Sequence, residues 1–483
     1  MLFHPALPPS NTMAPPPAET AIVTKRDRET SDSNANNNNH AETASAAAAE
    51  RQLVRKVDLC LLPVIWLMSL MSWMDRSNIG NAKIAGLMTD LDLSSSQYSM
   101  TIVVFYFGYV VWGPVSNTIL ARTRPSIYLP AIMLLWGALT CAMAAVHTYP
   151  QLLVLRVFVG VLESGLAPGV AFVFSCWYRP EEQAKRIAIY ISALLLGGAF
   201  GGLLAGAITG HLDGDQGVRG WRWLFIVEGA VTVFWAAVSF AVLPDFPSTC
   251  RRFTADQRNM AVTRLEQAGV VVVVDHKSRG TRRMGRIKAL QIALSDWRTW
   301  ATTLGVAVGQ FVGCATVLTY FYPTLVNGLG YTSTVAAQYM TVPIWMAAFV
   351  CTLGSGFLCD RIPGYRGLVI AAWLILAMIA SILICVIYDY AARYALLAIM
   401  SAGVWSSVAL GISFTATMFG PMEPEARAVM LAFPPAAGNA GNIYGAYLFP
   451  AEGAPKYLLG FGVISGTLGA GAATFLAIHF ILR

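Results

Sequence analysis

Long apolar runs separated by short polar connections dominate the chain from residue 57 to its end. Each run is long enough for the roughly 20 helical residues that cross a hydrocarbon core. The pattern therefore predicts an all-α membrane protein with twelve membrane-spanning helices, placed near 57–86, 98–119, 127–146, 150–177, 187–210, 222–243, 300–322, 336–358, 368–388, 394–418, 428–449 and 457–481.

A polar segment after the sixth run divides these helices into two six-helix halves, residues 51–243 and residues 300–483. This linker, residues 244–299, contains RFTADQRNMAVTRLEQ, a pattern typical of an amphipathic helix. Residues 1–50 combine proline clusters with Asn- and Ala-rich low complexity, which predicts a disordered tail. Two similar halves are typical of transporters that bind their substrate near the membrane midplane.

Composition agrees with this class, since 56% of residues are hydrophobic and only 12% are charged, against about 25% charged in soluble domains. The net charge of +7 comes from basic residues concentrated in alternate connections. By the positive-inside rule, this distribution places both termini in the cytosol. The charge therefore indicates orientation and not a nucleic-acid partner. We expect an integral protein of the plasma membrane.

Two charged pairs lie inside the apolar runs. Asp75 and Arg76 are adjacent within the first run, and Arg156 and Glu163 are seven residues apart, on one face of the fourth predicted helix. An ionised side chain at the bilayer centre costs about 2.5–3.5 kcal/mol, so such residues usually face a water-filled pathway or a partner. For the first pair the alternative is a helix cap at the headgroup level.

Several longer motifs carry a family resemblance. The Gly-xxx-Asp-Arg step at 356–361 resembles the loop motif of the major facilitator superfamily. The stretches MDRSNIGNAKIAGL (74–87), RVFVGVLESGLAPGVAFVFSCWYRPEEQAKR (156–186) and GWRWLFIVEGAVTVFWAAVSFAVLPDFP (220–247) are similar to the fungal anion:cation symporters of the allantoate, nicotinate and pantothenate permease type. The chain is thereby identified as a member of that family.

The resemblance implies roles for the charged residues. Arg76 would pair with the substrate carboxylate, whereas Asp75 and Glu163 would take part in proton coupling, with Arg156 as proton relay or conformational support. The chemistry fits, because guanidinium binds carboxylate bidentately and a partly desolvated carboxyl group can exchange a proton. A gating latch and further substrate contacts are expected from polar residues elsewhere, namely Asn117, Asp360 and Arg361 for gating and Tyr106, Gln310, Tyr320, Asn439 and Asn442 for the substrate.

We therefore expect proton-coupled uptake of a small organic anion by alternating access, by a monomer that needs the proton gradient and no cofactor. Two alternatives use the same scaffold: an exporter of a small acid or fungal secondary metabolite, and a nutrient sensor. An enzyme is disfavoured, because the six histidines are scattered without an HExxH-like or Cys/His grouping that binds metal.

Overall fold

The computed structural model describes residues 18–120, 123–268, 286–306, 315–330, 333–419, 430, 438–439, 441–454 and 456–481. The chain forms two compact units, residues 1–58 and residues 59–483. In the first unit the described backbone is helical from Ala18 onward. This differs from the disordered tail expected over 1–50. Alanine, glutamate and arginine, which recur in this stretch, are good helix formers.

Eight α-helices form most of the described first half and the beginning of the linker. The helices are α1 Ala18–Ala82, α2 Ser95–Leu120, α3 Pro125–Met143, α4 Tyr149–Glu163, α5 Leu166–Trp177, α6 Pro180–His211, α7 Gly220–Val242 and α8 Ala255–Gln267. Within this half, α3 packs against α7 and α2 packs against α4. Helix α8 lies in the linker, and the side chain of Thr254 caps its N-terminus.

The end of the linker and the second half contain α9 Arg286–Ser295, α10 Trp297–Val306, α11 Ala315–Gly328, α12 Thr334–Tyr339, α13 Thr341–Arg361, α14 Arg366–Val386, α15 Tyr390–Met418 and α16 Leu458–Ile481. Across the described part of the chain, nine helical segments are long and apolar enough to cross a membrane. The second predicted span is the 26-residue helix α2. Positions 307–314 of the seventh predicted span and most of 428–440 in the eleventh lie outside the described residues.

Two predicted spans are each interrupted three or four residues before a proline. The span expected over 150–177 divides into α4 and α5 around Ser164, and the span expected over 336–358 divides into α12 and α13 at Met340. Pro168 and Pro343 follow these breaks. A proline ring cannot donate a helical hydrogen bond and clashes with the carbonyl four residues earlier, which accounts for both interruptions.

Helix α1 continues without a break past Asp75 and Arg76 to Ala82, and a π-helical turn, Lys83–Leu87, follows it. Gly86 in this turn has φ = 105°, a conformation that favours glycine. The charged pair therefore lies within the helix, about two turns before its end. The interpretation of Asp75 and Arg76 as a helix cap is wrong.

The bundle has two ends. We call the linker end the one where α7 leads into the linker, and the distal end the one where α6 ends and α7 begins. At the linker end, α8 is held by an ion pair of 2.5 Å between Arg264 and Glu182. At the distal end, Asp90 accepts hydrogen bonds from Arg219 (2.8 Å) and from the indole of Trp221 (2.7 Å).

The two halves meet in the distal part of the bundle. The hydroxyl of Thr209 donates to the side chain of Gln338 at 2.5 Å, and the hydroxyl of Ser99 donates to the carbonyl of Ala446 at 2.7 Å. Helix α6 approaches α13 so closely that a Cβ on Gly202 would lie 2.3 Å from the Oγ1 of Thr341. Glycines of α6 therefore form a face that packs against the second half. These contacts close the space between the halves towards the distal end.

Candidate functional site

A buried ion pair between α1 and α4 forms the centre of the candidate site. The Nη2 and Nε atoms of Arg76 donate to the same oxygen of Glu163, Oε1, at 2.7 and 3.0 Å. The hydroxyl of Ser72, one helical turn before Arg76, donates to that oxygen at 2.5 Å. Oε2 of Glu163 has no hydrogen-bond partner among the described residues. Three donors therefore converge on one carboxylate oxygen, and the other oxygen is left open.

Aromatic rings surround the guanidinium of Arg76. Its central carbon lies 4.8 Å from the ring centroid of Tyr109 and 5.4 Å from those of Trp73 and Phe105. Cation–π attraction of this kind contributes most where water is excluded. The Arg76 side chain is 10% exposed, whereas Glu163 is fully buried. Arg76 is therefore the more exposed member of the pair.

Asp75 faces different neighbours from Arg76, since successive helical residues point about 100° apart. Its Oδ2 accepts hydrogen bonds from the indole of Trp136 on α3 (3.0 Å) and from the hydroxyl of Thr232 on α7 (2.8 Å). Its Oδ1 has no partner in the described part of the chain. The structure thus separates Asp75 from the Arg76–Glu163 pair, although the sequence makes the two residues adjacent.

Two further charged side chains are buried in the first half. Arg156 lies on the buried face of α4 together with Glu163, as the seven-residue spacing predicts. Its Nε and Nη2 atoms, and both carboxylate oxygens of Glu228 on α7, lack hydrogen-bond partners among the described residues. Glu228 is only 2% exposed. The candidate site is therefore wider than the Arg76–Glu163 pair.

Aromatic side chains connect the site to the second half. The hydroxyls of Tyr106 on α2 and Tyr320 on α11 lie 3.0 Å apart and form a hydrogen bond. The ring of Trp73, which borders Arg76, packs edge-on against Trp405 at 5.7 Å, and Trp405 in turn contacts Trp345 at 5.6 Å. Both halves therefore contribute walls to the region around Arg76.

The remaining predicted site residues are placed less completely. Asn442 is buried, and its amide donates to the backbone carbonyl of Asn439 at 3.1 Å, a local contact within their own segment. Gln310 lies outside the described residues. Among the predicted gating residues, Arg361 is exposed at the end of α13, and the side chains of Asn117 and Asp360 lie outside the described part.

Three neutral residues of the site escape the sequence-based search, namely Ser72, Trp136 and Thr232. Ser72 precedes Arg76 by four residues, so helical spacing alone places both on one face of α1. Trp136 and Thr232 lie 61 and 157 residues from Asp75, on other helices. No local pattern connects these two donors with the carboxylate that they hold.

Comparison with known proteins agrees with this architecture. Residues 65–446 match the family model described as Major Facilitator Superfamily. The chain is similar to the MFS-type transporter cnsO of Penicillium expansum, with 33% identity over 90% of this chain and 83% of that protein. It is also similar to the MFS transporter prlL of a fungal species (strain NRRL 50135), with 30% identity over 90% of this chain and 87% of that protein.

Solved structures share the fold at low sequence identity. A bacterial homologue of the human lysosomal transporter Spinster, in an inward-facing and unoccupied conformation, aligns with a TM-score of 0.66 and 17% identity over 87% of this chain and 95% of that one. A D-xylose-proton symporter aligns with a TM-score of 0.65 and 14% identity over 86% and 96% of the two chains. The chain belongs to the Major Facilitator Superfamily and is a multi-pass membrane transporter, not an enzyme.

Proposed function

We propose that this transporter imports a small organic anion, a carboxylate, together with protons, in the manner of the fungal anion:cation symporters that its sequence resembles. The observation that carries the proposal is Arg76, a permanently charged guanidinium about two turns before the end of α1, which lies among aromatic rings and has 10% of its side chain exposed. A buried guanidinium selects planar anions, because its fork of N–H groups matches a carboxylate.

The geometry of the ion pair supports a competition between the substrate and Glu163 for the guanidinium of Arg76. Arg76 uses Nε and Nη2 on one oxygen of Glu163 and does not form the bidentate fork in which each nitrogen meets its own oxygen. A substrate carboxylate that formed this fork would replace a weaker contact by a stronger one. In this proposal, substrate binding breaks the Arg76–Glu163 ion pair.

Proton coupling follows from the burial of Glu163. If Arg76 turned to a substrate, Glu163 would be left as a fully buried carboxylate with Ser72 as its remaining donor. An unpaired buried charge is strongly disfavoured, so the exchange is favourable only when Glu163 takes up a proton. The open Oε2 atom can receive that proton. Binding of the anion and of the proton would then favour each other.

The direction of transport depends on which compartment each end faces. The halves are in contact at the distal end through the Thr209–Gln338 and Ser99–Ala446 hydrogen bonds. With the cytosolic linker that the positive-inside rule predicts, these distal contacts support an inward-facing state of the proposed plasma-membrane importer. Import would require a second state in which the distal contacts open.

The test is uptake of radiolabelled carboxylates by proteoliposomes with an imposed pH gradient, using a panel of linear, branched and ring-containing acids. The variant Arg76→Lys keeps the charge but removes the fork, so we expect the apparent affinity to fall roughly tenfold to a hundredfold, which corresponds to the loss of about 1.5–3 kcal/mol from a charged hydrogen bond. Arg219→Lys, at an exposed distal site, is the matched control and should keep its affinity.

Coupling is tested with Glu163→Gln, which keeps the shape and the hydrogen bond from Ser72 but cannot exchange a proton. We expect this variant to exchange labelled for unlabelled substrate without accumulation driven by the pH gradient. Accumulation at the wild-type rate would remove Glu163 from the coupling mechanism. If no carboxylate accumulates with the wild-type protein, while cells expressing it lose an endogenous acid faster, the importer proposal is wrong and the exporter alternative is favoured.

A further inference from the structure

Lys83 is a charged residue of the first half that has no role in the proposed function so far. It belongs to the stretch MDRSNIGNAKIAGL and begins the π-helical turn after α1. Its Nζ lies 4.6 Å from the ring centroid of Tyr98 on α2 and 5.0 Å from that of Phe321 on α11. An ammonium group has three N–H donors, which aromatic rings do not satisfy. Within the described part of the chain, Lys83 therefore has rings as neighbours and no ion-pair partner.

The buried carboxylates of the first half have their contacts elsewhere. Glu163 pairs with Arg76 at 2.7 Å, Asp75 accepts hydrogen bonds from α3 and α7, and Glu228 is buried on α7. The rings beside Lys83 belong instead to α2 and α11. A cation in apolar surroundings is costly without a counter-charge next to it. The position of this ammonium therefore favours a bound anion.

The hydroxyl of Tyr98 is a second and independent indication of a ligand at this place. Tyr98 is only 1% exposed, and its hydroxyl has no hydrogen-bond partner among the described residues. Buried polar groups are nearly always satisfied, so an unsatisfied one points to a group that is bound there. The guanidinium of Arg156 is also close enough to act on this hydroxyl electrostatically. An anion would accept the hydrogen bond and would be attracted by both cations.

Lys83 shares one face of the first membrane helix with Arg76. The backbone is α-helical up to Ala82, and seven residues make nearly two turns, so the two side chains leave the helix in almost the same direction. At 1.5 Å per residue, their backbone positions lie about 10 Å apart along the axis. One elongated molecule lying along this face would meet both cations.

Aromatic rings line the path between the two cations. Phe105 borders the guanidinium at 5.4 Å and contacts the ring of Tyr106 at 5.2 Å. The hydroxyl of Tyr106 shares a hydrogen bond of 3.0 Å with that of Tyr320, whose neighbour in the chain, Phe321, borders the ammonium. These rings suit the apolar carbon chain between two charged ends, and their hydroxyls suit polar groups on it.

We propose that Lys83 and the hydroxyl of Tyr98 form a second anion subsite, and that the transported acid is a dicarboxylate whose other carboxylate binds Arg76. The part played by Arg76 rests on the proposed function, whereas binding of an anion at Lys83 does not. A dicarboxylate compensates both cations at once, but a monocarboxylate on Arg76 leaves the ammonium unpaired. The second subsite therefore selects dicarboxylates over monocarboxylates of the same length.

The first experiment is isothermal titration calorimetry on the purified full-length protein, which needs no transport. The ligands are succinate, adipate and suberate, each compared with its monoamide, in which a neutral amide replaces one carboxylate and the shape is kept. We expect at least one dicarboxylate to bind roughly tenfold to a hundredfold more tightly than its monoamide, as the loss of a charged hydrogen bond predicts. Equal affinities in all three pairs, or no binding of any dicarboxylate, would overturn the proposal.

Variants at Lys83 distinguish a ligand contact from a structural one. Lys83→Gln should abolish the preference by weakening dicarboxylate binding while leaving the monoamide as in the wild type, and Lys83→Arg should restore the preference. The matched control is Lys456→Gln, because Lys456 is an exposed lysine whose Nζ also lies over a ring, 4.9 Å from the centroid of Tyr388. It should keep the preference. Equal weakening of both ligands in Lys83→Gln, or an unchanged preference, would leave Lys83 as a structural contact between the halves and refute the subsite.

A labelling experiment on the wild-type protein covers the case in which Lys83→Gln does not fold. Succinimidyl acetate acetylates accessible amines, and mass spectrometry measures the modified fraction of each lysine. We expect the tightest-binding dicarboxylate to protect Lys83 and its monoamide to leave it reactive, with Lys456 modified equally in both samples. Equal protection by both ligands, or a Lys83 that stays unmodified without ligand, contradicts the proposal.

The outcomes also separate this inference from the proposed function. If no acid accumulates in response to a pH gradient while the preference that depends on Lys83 is observed, proton-coupled uptake is wrong and the second subsite stands. If acids accumulate with the expected dependence on Arg76 but no dicarboxylate is preferred over its monoamide, the proposed function stands and the second subsite is refuted.

Discussion

The substitution Gly202→Ala should destabilise the state in which the halves are closed at the distal end. Gly202 on α6 faces α13, and a Cβ there would lie 2.3 Å from the Oγ1 of Thr341 and 3.0 Å from the backbone carbonyl oxygen of Gln338. The first contact is far inside the van der Waals limit. The second involves backbone, which cannot rotate away. The halves must therefore separate slightly to accept a single methyl group.

The size of the effect can be worked out from these contacts. Rotation of Thr341 loses its hydrogen bond of 2.7 Å to the carbonyl of Gln338, which costs about 0.5–1.5 kcal/mol. Overpacking a tight interface costs about 1–3 kcal/mol. The helix-propensity gain of alanine, about 1 kcal/mol, applies to both states and cancels. A net cost of about 2 kcal/mol would change the ratio of distal-closed to distal-open molecules roughly 30-fold.

The measurement is the distance between nitroxide labels at Asp215 and Lys456, two exposed distal positions on opposite halves, by double electron–electron resonance in a cysteine-free background. We expect Gly202→Ala to increase the long-distance population. Gly201→Ala is the matched control, because its Cβ would lie no closer than 3.5 Å to any neighbour, an ordinary contact. Unchanged distances in Gly202→Ala, or an equal change in both variants, would refute the reasoning.

Two other predictions concern the supports of the site and of the linker. Trp136→Phe removes the indole donor 3.0 Å from Asp75 and should lower the free energy of unfolding by about 1–3 kcal/mol; an unchanged melting temperature would show that this hydrogen bond does not stabilise the fold. Glu182→Gln removes the ion pair of 2.5 Å to the buried Arg264, so α8 should detach more often and limited proteolysis should cut residues 244–268 faster; a wild-type cleavage rate would contradict this.

Features that depend on local spacing are the ones that the sequence predicts correctly. The seven residues between Arg156 and Glu163 place both on the buried face of α4. The glycines of 197–210 form the face that packs against the second half, with Gly198 and Gly202 facing Trp345 and Thr341. Helical periodicity alone determines these results, because 3.6 residues per turn fixes which side chains share a face.

The partners of the charged residues do not follow from spacing. Periodicity shows that Asp75 and Arg76 point in different directions, but not which helix each one meets. That choice depends on how α1 is rotated within the bundle, and the result places Asp75 against Trp136 and Thr232 and places Arg76 against Glu163. The helix breaks before Pro168 and Pro343 are a different case. These breaks cannot be predicted from hydrophobicity, since the apolar runs continue through each proline.

Because Lys83–Leu87 forms a π-helical turn, the number of residues in this turn matters more than the identity of most of them. It lies between the part of α1 that carries Asp75 and Arg76 and the distal attachment of Asp90 to Arg219 and Trp221. A π turn holds an additional residue compared with an α turn. Loss of one residue from it would restore regular helix and rotate Asp90 by about 100° relative to Asp75. Substitutions in this turn, except at Gly86 with its positive φ, should therefore be tolerated far better than single-residue deletions.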